Sequence, residues 1–363
     1  MEYLDNIYMK RAIKIAEKGR GRTSPNPMVG AVIVKNGVII GEGYHAWAGE
    51  PHAEINALKS VNETLEGSTL YVTLEPCCNY GKTPPCTEAI ISSKIKKVII
   101  GLTDPNPKVN GKGIEELRKA QIETEVGLFK KEIAKQNEVY IKYVTTKNPF
   151  ILMKMAISFD GKTTSKNGQT TKITDEKSKK YVHGLRDKYD AIMVGIGTVL
   201  ADDPMLTARL DKKEGRNPLR VIVDSKARLP LSSKIVKTAD KVLTLLVTTK
   251  GAPLDKLKAL SEKKVQILTI PNKKDKVDLK FLLEELGRRE ITSVILEGGP
   301  RLVSSALREE LVDKMVFLVA PKIIGGESSL DFVADKEISF NFNFENPKLL
   351  GKDLLIEAYP GIN

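Results

Sequence analysis

Four side chains in the first hundred residues could carry out hydrolytic chemistry together. His52 and Glu54 stand two apart in His52-Ala53-Glu54, and Cys77 and Cys86 stand nine apart behind Glu75-Pro76. One imidazole and two thiolates form a three-ligand set that suits Zn²⁺. They leave a fourth position for water, as in a catalytic rather than a structural site. Glu54 need not bind the metal, because a carboxylate there can take a proton from metal-activated water and pass it to a leaving group. A lone His-x-Glu is commonly a solvated helix start, and two cysteines can be small buried hydrophobes. It is the combination that argues for a metal.

These residues need elements to hold them. Leu4, Tyr8, Ala12 and Ile15 fall at helical spacing, which predicts a helix over 4–17 stopped by Gly19 and Gly21. Residues 29–34 and 38–40 read as strands around Asn36-Gly37, a two-residue hairpin signal. A helix is predicted over 52–61, with His52 and Glu54 at its start, and a strand over 69–74 ends just before Cys77. A short helix over 87–93 and a strand over 97–102 follow. Helices alternating with strands predict an α/β layered sheet.

A second series begins at Phe150, with strands over 150–157, 190–195, 219–223, 242–248, 292–297 and 314–319. Helices are predicted over 174–188, 278–289 and 300–310. Residues 144–149 are polar and contain a proline, a junction between the series. The expected division is therefore 1–145 and 146–363, two different α/β domains with no internal repeat.

The chain has 363 residues and a formal net charge of +12. That length suits two domains of ordinary size. No stretch approaches the run of apolar residues a membrane span needs, and Glu2 and Asp5 open the chain, so neither a signal peptide nor a membrane partner is expected. Three clustered cysteines are too few to staple a secreted fold, which points to the cytoplasm. The basic runs Lys179-Lys180, Lys212-Lys213 and Lys273-Lys274 are broken by acids and lack interleaved aromatics. They read as a solvated surface rather than a nucleic-acid footprint.

His-Ala-Glu followed by Pro-Cys at a strand end is the signature of zinc deaminases. Their second cysteine normally follows three residues after the first, whereas here a loop widens the spacing. That loop, with Asn26-Pro27-x-Val29-Gly30 and Gly43-x-His45, resembles the pyrimidine deaminases of riboflavin biosynthesis. The resemblance implies a cytidine-deaminase-like three-layer α/β/α domain with one Zn²⁺ on His52, Cys77 and Cys86 and with Glu54 as the proton shuttle. Cys77 directly follows the proline, and Cys78 occupies a position commonly Ser in that family, so Cys77 is assigned to the metal. Asn26, His45, Asn79 and Lys82 are implied substrate contacts. Position 79 is often His in the family, although an amide can also donate and accept.

In the second series three motifs stand out: Lys154-x-Ala156-x-Ser158-x-Asp160-Gly161-Lys162, Gly197 through Thr207, and Leu296-Glu297-Gly298-Gly299-Pro300-Arg301-Leu302. The last reads strand, glycine turn, helix, where amides suit a phosphate. It is not the Gly-x-Gly-x-x-Gly fingerprint, so a Rossmann domain is not supported. In this order the three resemble the reductase domain of the same pathway, which implies a dihydrofolate-reductase-like α/β fold using NADPH. The resemblance puts Ala156, Lys172, Thr198, Asp202, Ser225, Gly299, Pro300, Arg301, Leu302, Val303, Ser304 and Ser305 at the cofactor. It puts Thr170, Arg186, Leu206, Arg209 and Glu297 at the substrate. Arg186 and Arg209 suit oxyanions because guanidinium binds them bidentately. The family usually has Trp where Lys172 stands, which replaces a stacking contact with a charge. His183 reads as a helix-face residue without a role.

The expectation is a bifunctional enzyme acting on a small phosphorylated pyrimidine, deaminating it and then reducing its ribosyl group with NADPH. The family further implies a homo-oligomer. A nucleic-acid deaminase needs neither the widened cysteine loop nor a second domain. A zinc-stabilised scaffold would not leave a coordination position open beside a glutamate.

Overall fold

Asn36 and Gly37 both take left-handed backbone conformations, φ 51° and 79°, which lets two strands reverse within two residues. The computed structural model describes residues 2–80, 84–166, 171–211, 215–273, 275–335, 337–339 and 341–361. The chain divides into two compact units, Met1–Lys147 and Asn148–Asn363, two residues beyond the expected 145/146 boundary.

In the first unit the order is α1 (Glu2–Ala16), β1 (Gly30–Lys35), β2 (Val38–Tyr44), α2 (Ala53–Lys59), β3 (Thr69–Leu74), α3 (Cys86–Ser92), β4 (Lys97–Leu102), α4 (Lys112–Lys119), β5 (Glu123–Val126), α5 (Lys130–Gln136) and α6 (Glu138–Thr146). The strands form one sheet in the order β2-β1-β3-β4-β5. β1 is antiparallel to β2 and β3, while β3, β4 and β5 run parallel. The central strands are buried on both faces, so they read as continuous apolar runs.

Two glycines show how the layers stack. A Cβ on Gly30 would lie 2.0 Å from the Ala12 carbonyl of α1, and one on Gly43 would lie 2.2 Å from the Ala57 nitrogen of α2. Ala31, not Gly30, pairs with Gly43, so these glycines face opposite sides of the sheet. Helices α1 and α2 therefore cover opposite faces, giving three layers. The interdomain stretch expected over 144–149 is helical through Thr146 in α6, with Val144 buried.

The second unit runs β6 (Phe150–Ser158), β7 (Lys162–Thr164), α7 (Glu176–Lys188), β8 (Ala191–Gly195), α8 (Ile196–Asp202), β9 (Leu219–Val223), α9 (Lys234–Lys237), β10 (Thr244–Thr248), α10 (Leu254–Glu262) and β11 (Gln266–Thr269). It continues with β12 (Asn272–Lys273), β13 (Lys276–Val277), α11 (Leu279–Arg288), β14 (Ser293–Leu296), α12 (Pro300–Arg308), β15 (Lys314–Ala320), β16 (Leu330–Asp331), β17 (Phe342–Phe344), β18 (Lys348–Leu350) and β19 (Asp353–Pro360). Its main sheet has the order β11-β10-β9-β8-β14-β6-β15-β19-β17, parallel from β11 to β15 and antiparallel at β19. β14 enters late in the chain between β6 and β8, and this is where the connections change direction. Ligands of open α/β sheets bind at the strand ends beside such a switch point.

Among the described residues no helix is long and apolar enough to cross a membrane. Lys179 pairs with Glu176 and Lys180 with Asp211, all four exposed, as a solvated basic surface would have them.

Candidate active sites

His52 caps the N-terminus of α2, Cys77 follows β3, and Cys86 is the first residue of α3. Three elements thus deliver three donors to one point. His52 Nδ1, Cys77 Sγ and Cys86 Sγ all lie within 4.8 Å of one another. The sulfurs of Cys77 and Cys86 are 3.5 and 3.3 Å from His52 Nδ1. The Cys86 backbone N–H, at the start of α3, donates to Cys77 Sγ at 3.4 Å. Hydrogen bonds from Cys86 and His52 overcome burial and hold the Cys77 thiol well below its ordinary range. The Cys86 thiol is raised, chiefly because it donates to Cys77. A ready thiolate, a second thiol beside it and an imidazole are a donor set that zinc takes. The residues fit the metal.

Glu54 lies in the first turn of α2, 3% exposed and within hydrogen-bonding reach of Cys86. Burial, reinforced by the charge on Cys77, pushes its carboxyl up to about 7. It can carry a proton at neutral pH. The His45 and His52 rings meet in a T-shaped arrangement, centroids 5.2 Å apart. His45 Nδ1 sits 3.2 Å from the Pro51 carbonyl and so donates to it, and its Nε2 then accepts from Asn26 Nδ2 at 3.1 Å. Asn26, His45 and the donor cluster are therefore linked. Asn79 is exposed, with Nδ2 donating to the Lys108 carbonyl. Lys82 lies outside the described residues.

Sequence reasoning passed over what lies behind Cys77. The buried Glu75 carboxylate accepts four backbone N–H bonds, from Asp104, Gly111, Gly113 and Ile114, at 2.9 to 3.3 Å. Two of these donors are in the first turn of α4, so Glu75 caps a helix remote in sequence and ties the 104–114 loop to the strand end bearing Cys77. The Glu-Pro-Cys triplet was a visible signal; the partners were not.

In the second unit Glu297 directly follows β14, beside Lys154 of β6. Arg186 of α7 grips it with Nε–Oε1 at 3.0 Å and Nη2–Oε2 at 2.8 Å, and Lys154 Nζ stands 3.2 Å from Oε2. Burial alone would raise this carboxyl, yet Arg186 and Lys154 hold it down at about 2. Leu206 has φ 55°, a strained conformation for a non-glycine residue, and is buried at the loop that brings Thr207 and Arg209 against α7. His183, which the sequence left as a helix-face residue without a role, is turned inward. It is 6% exposed and lies against Thr207 and Arg209.

α8 and α12 start at the ends of the adjacent parallel strands β8 and β14. A Cβ on Gly299 would come 3.6 Å from Thr198 Oγ1, so the missing side chain keeps a cradle open between the two helix starts. Such a cradle fits a dinucleotide phosphate. Ala156 is on the Lys154 face of β6, and the Ser225 carbonyl accepts from Thr249. Not all of 299–305 faces out. Val303 is fully buried, Leu302 packs against Gly298, and Ser304 Oγ accepts from the Ala334 and Asp335 amides. Pro300 is half-buried, Arg301 is exposed, and Ser305 Oγ donates to the Arg301 carbonyl. Asp202 is exposed at the end of α8. Lys172 is largely exposed and paired with Glu176 at 3.1 Å. Thr170 lies outside the described residues.

A layered sheet with a His-x-Glu helix start facing a Pro-Cys strand end defines a zinc-deaminase-type domain, followed by an α/β domain with a phosphate cradle at its switch point. Residues 3–102 match the cytidine and deoxycytidylate deaminase zinc-binding region, and residues 149–356 match the RibD C-terminal domain. The chain belongs to the RibD family of riboflavin biosynthesis proteins, bifunctional deaminases and reductases. It is 42% identical to the riboflavin biosynthesis protein RibD of Aquifex aeolicus, over 97% of this chain and 98% of that one. It superposes on Acinetobacter baumannii RibD with TM-score 0.89 at 36% identity, covering 99% of both chains. It also superposes on the diaminohydroxyphosphoribosylaminopyrimidine deaminase/5-amino-6-(5-phosphoribosylamino)uracil reductase of Thermotoga maritima with TM-score 0.86 at 38% identity, again over 99% of each.

Proposed function

We propose that the first unit hydrolytically deaminates 2,5-diamino-6-ribosylamino-4(3H)-pyrimidinone 5′-phosphate and that the second reduces the product's ribosyl group to ribityl at the expense of NADPH. The observation that carries the reading is the convergence of His52, Cys77 and Cys86 beside the buried Glu54. His52, Cys77 and Cys86 would hold Zn²⁺, which when bound supplies a Lewis acid and a hydrolytic nucleophile at neutral pH. Glu54 holds a proton at its carboxyl and passes it to the departing amine. Asn26 and His45 orient the pyrimidine, their own hydrogen bonds fixing which edge each presents.

In the second unit Thr198 and Gly299, at the α8 and α12 starts, would hold NADPH, which when bound would supply a hydride. Lys154 and Arg186 keep Glu297 ionised at the strand end, where it can accept hydrogen bonds from sugar hydroxyls. The test is a coupled assay that follows ammonia and NADPH from the diaminopyrimidine phosphate. Ammonia release followed by stoichiometric NADPH oxidation is expected, and oxidation without prior ammonia release would overturn the order.

A further inference from the structure

The two arginines expected at the substrate are engaged differently. Arg186 is largely committed to Glu297 and also reaches the Thr207 carbonyl. Arg209 is exposed and, among the described residues, has no carboxylate partner. It is held from behind instead. Its Nη2 lies 3.3 Å from His183 Nε2, and its Nη1 donates to Thr207 Oγ1 at 3.2 Å.

The His183 ring is buried, so its tautomer can be argued from its neighbours. Nδ1 lies 3.1 Å from the Thr207 carbonyl, which can only accept, and Nε2 faces a guanidinium, which can only donate. With the proton on Nδ1, both contacts are hydrogen bonds. The reverse tautomer satisfies only the Arg209 backbone N–H, 3.3 Å from Nδ1. It sets a lone pair against a carbonyl and an N–H against the guanidinium. We infer that His183 is a positioning residue of the reductase site: its neutral Nδ1–H form aims Arg209, already expected at the substrate, outward toward the phosphomonoester.

This rests on reading the second unit as a reductase of a ribosyl phosphate. A protonated ring would put N–H against guanidinium and release the arginine. The groups facing His183 act accordingly: burial, Arg186 of its own helix and Arg209 of the loop disfavour the proton, while the Thr207 carbonyl and Glu297, just after β14, favour it. The net shift is downward, which favours the neutral ring.

The experiment supplies the deaminated pyrimidine phosphate and NADPH to the full chain as wild type, His183→Ala and His183→Gln, with ribose 5-phosphate as a competing probe. His183→Ala should raise both KM and the probe's Ki about tenfold while kcat stays within about twofold, the loss of one charge-assisted hydrogen bond. His183→Gln, whose amide oxygen can still accept from Arg209, should recover most of that loss. From about pH 8 down to 5.5 the wild-type KM should rise more than the phosphate's own titration dictates, and His183→Gln should lack the excess. An unchanged KM in His183→Ala, a defect confined to kcat, or an acid-side excess persisting in His183→Gln would overturn the inference. NADPH affinity and ammonia release serve as folding controls, and if His183→Ala loses them His183→Gln decides alone. A wild type without reductase turnover would instead defeat the functional reading beneath it.

Discussion

The Glu297 carboxylate lies inside the protein yet is ionised, because Arg186 forks both of its oxygens. Its carboxyl is held at about 2 in the folded chain, below the ordinary glutamate value. A group lowered on folding adds stability above its unfolded pKa and loses it as the pH falls through the folded one. The contribution should be complete at neutral pH and vanish between about pH 4.5 and 2. Glu297→Gln leaves two buried cations without a counter-charge and should destabilise the second unit by about 3–5 kcal/mol at pH 7. Calorimetry at pH 7, then 4, then 3 should find the gap between wild type and variant closing; a constant gap refutes this account.

Glu54→Gln removes the proton carrier and keeps its volume. Ammonia release should fall by at least about a hundredfold. NADPH oxidation should be untouched when the deaminated intermediate is supplied directly. Measuring the two activities on one preparation checks the separation of the sites, which fails if both vanish while the fold persists.

Purified protein should carry about one zinc per chain, from the one three-ligand set among the described residues. Cys77→Ser or Cys86→Ser should lose that zinc by elemental analysis and lose deamination with it, whereas Cys78→Ser should retain both. Chelation should silence ammonia release and spare reduction.

Glu75→Ala would strand four backbone donors and unfasten the 104–114 loop. A loss of about 3–5 kcal/mol in the first unit is expected, with weakened zinc retention. Glu75→Gln, able to accept on one oxygen, should fall between. Hydrogen exchange of the Gly111 and Gly113 amides reads the effect directly, and unchanged protection in Glu75→Ala would exclude the clamp.

The sequence spelled out what is local. Asn36-Gly37 made the hairpin legible, and the apolar runs at 69–74 and 97–102 became β3 and β4 with those same bounds. The metal cluster was legible because its chemistry lies in few residue types at short spacing. Other elements were hidden. α8, Ile-Gly-Thr-Val-Leu-Ala-Asp, mixes β-branched residues with glycine and is helical because packing of Ile196 and Val199 overrides propensity. β19 is half-buried, and its antiparallel partnership with β15 spans a separation no periodicity records. The partners of His183 and Glu75 were hidden for the same reason: they come from loops far along the chain.

The glycine at 43 has no side chain to offer a metal and is nine residues from the nearest donor. Yet α2 rests against it so closely that any side chain would collide with the helix backbone at Ala53 and Ala57. The position of His52 is thus calibrated by a vacancy. One added methyl group at 43 would act at a distance as a ligand mutation, leaving all three donors chemically intact but out of range of one another.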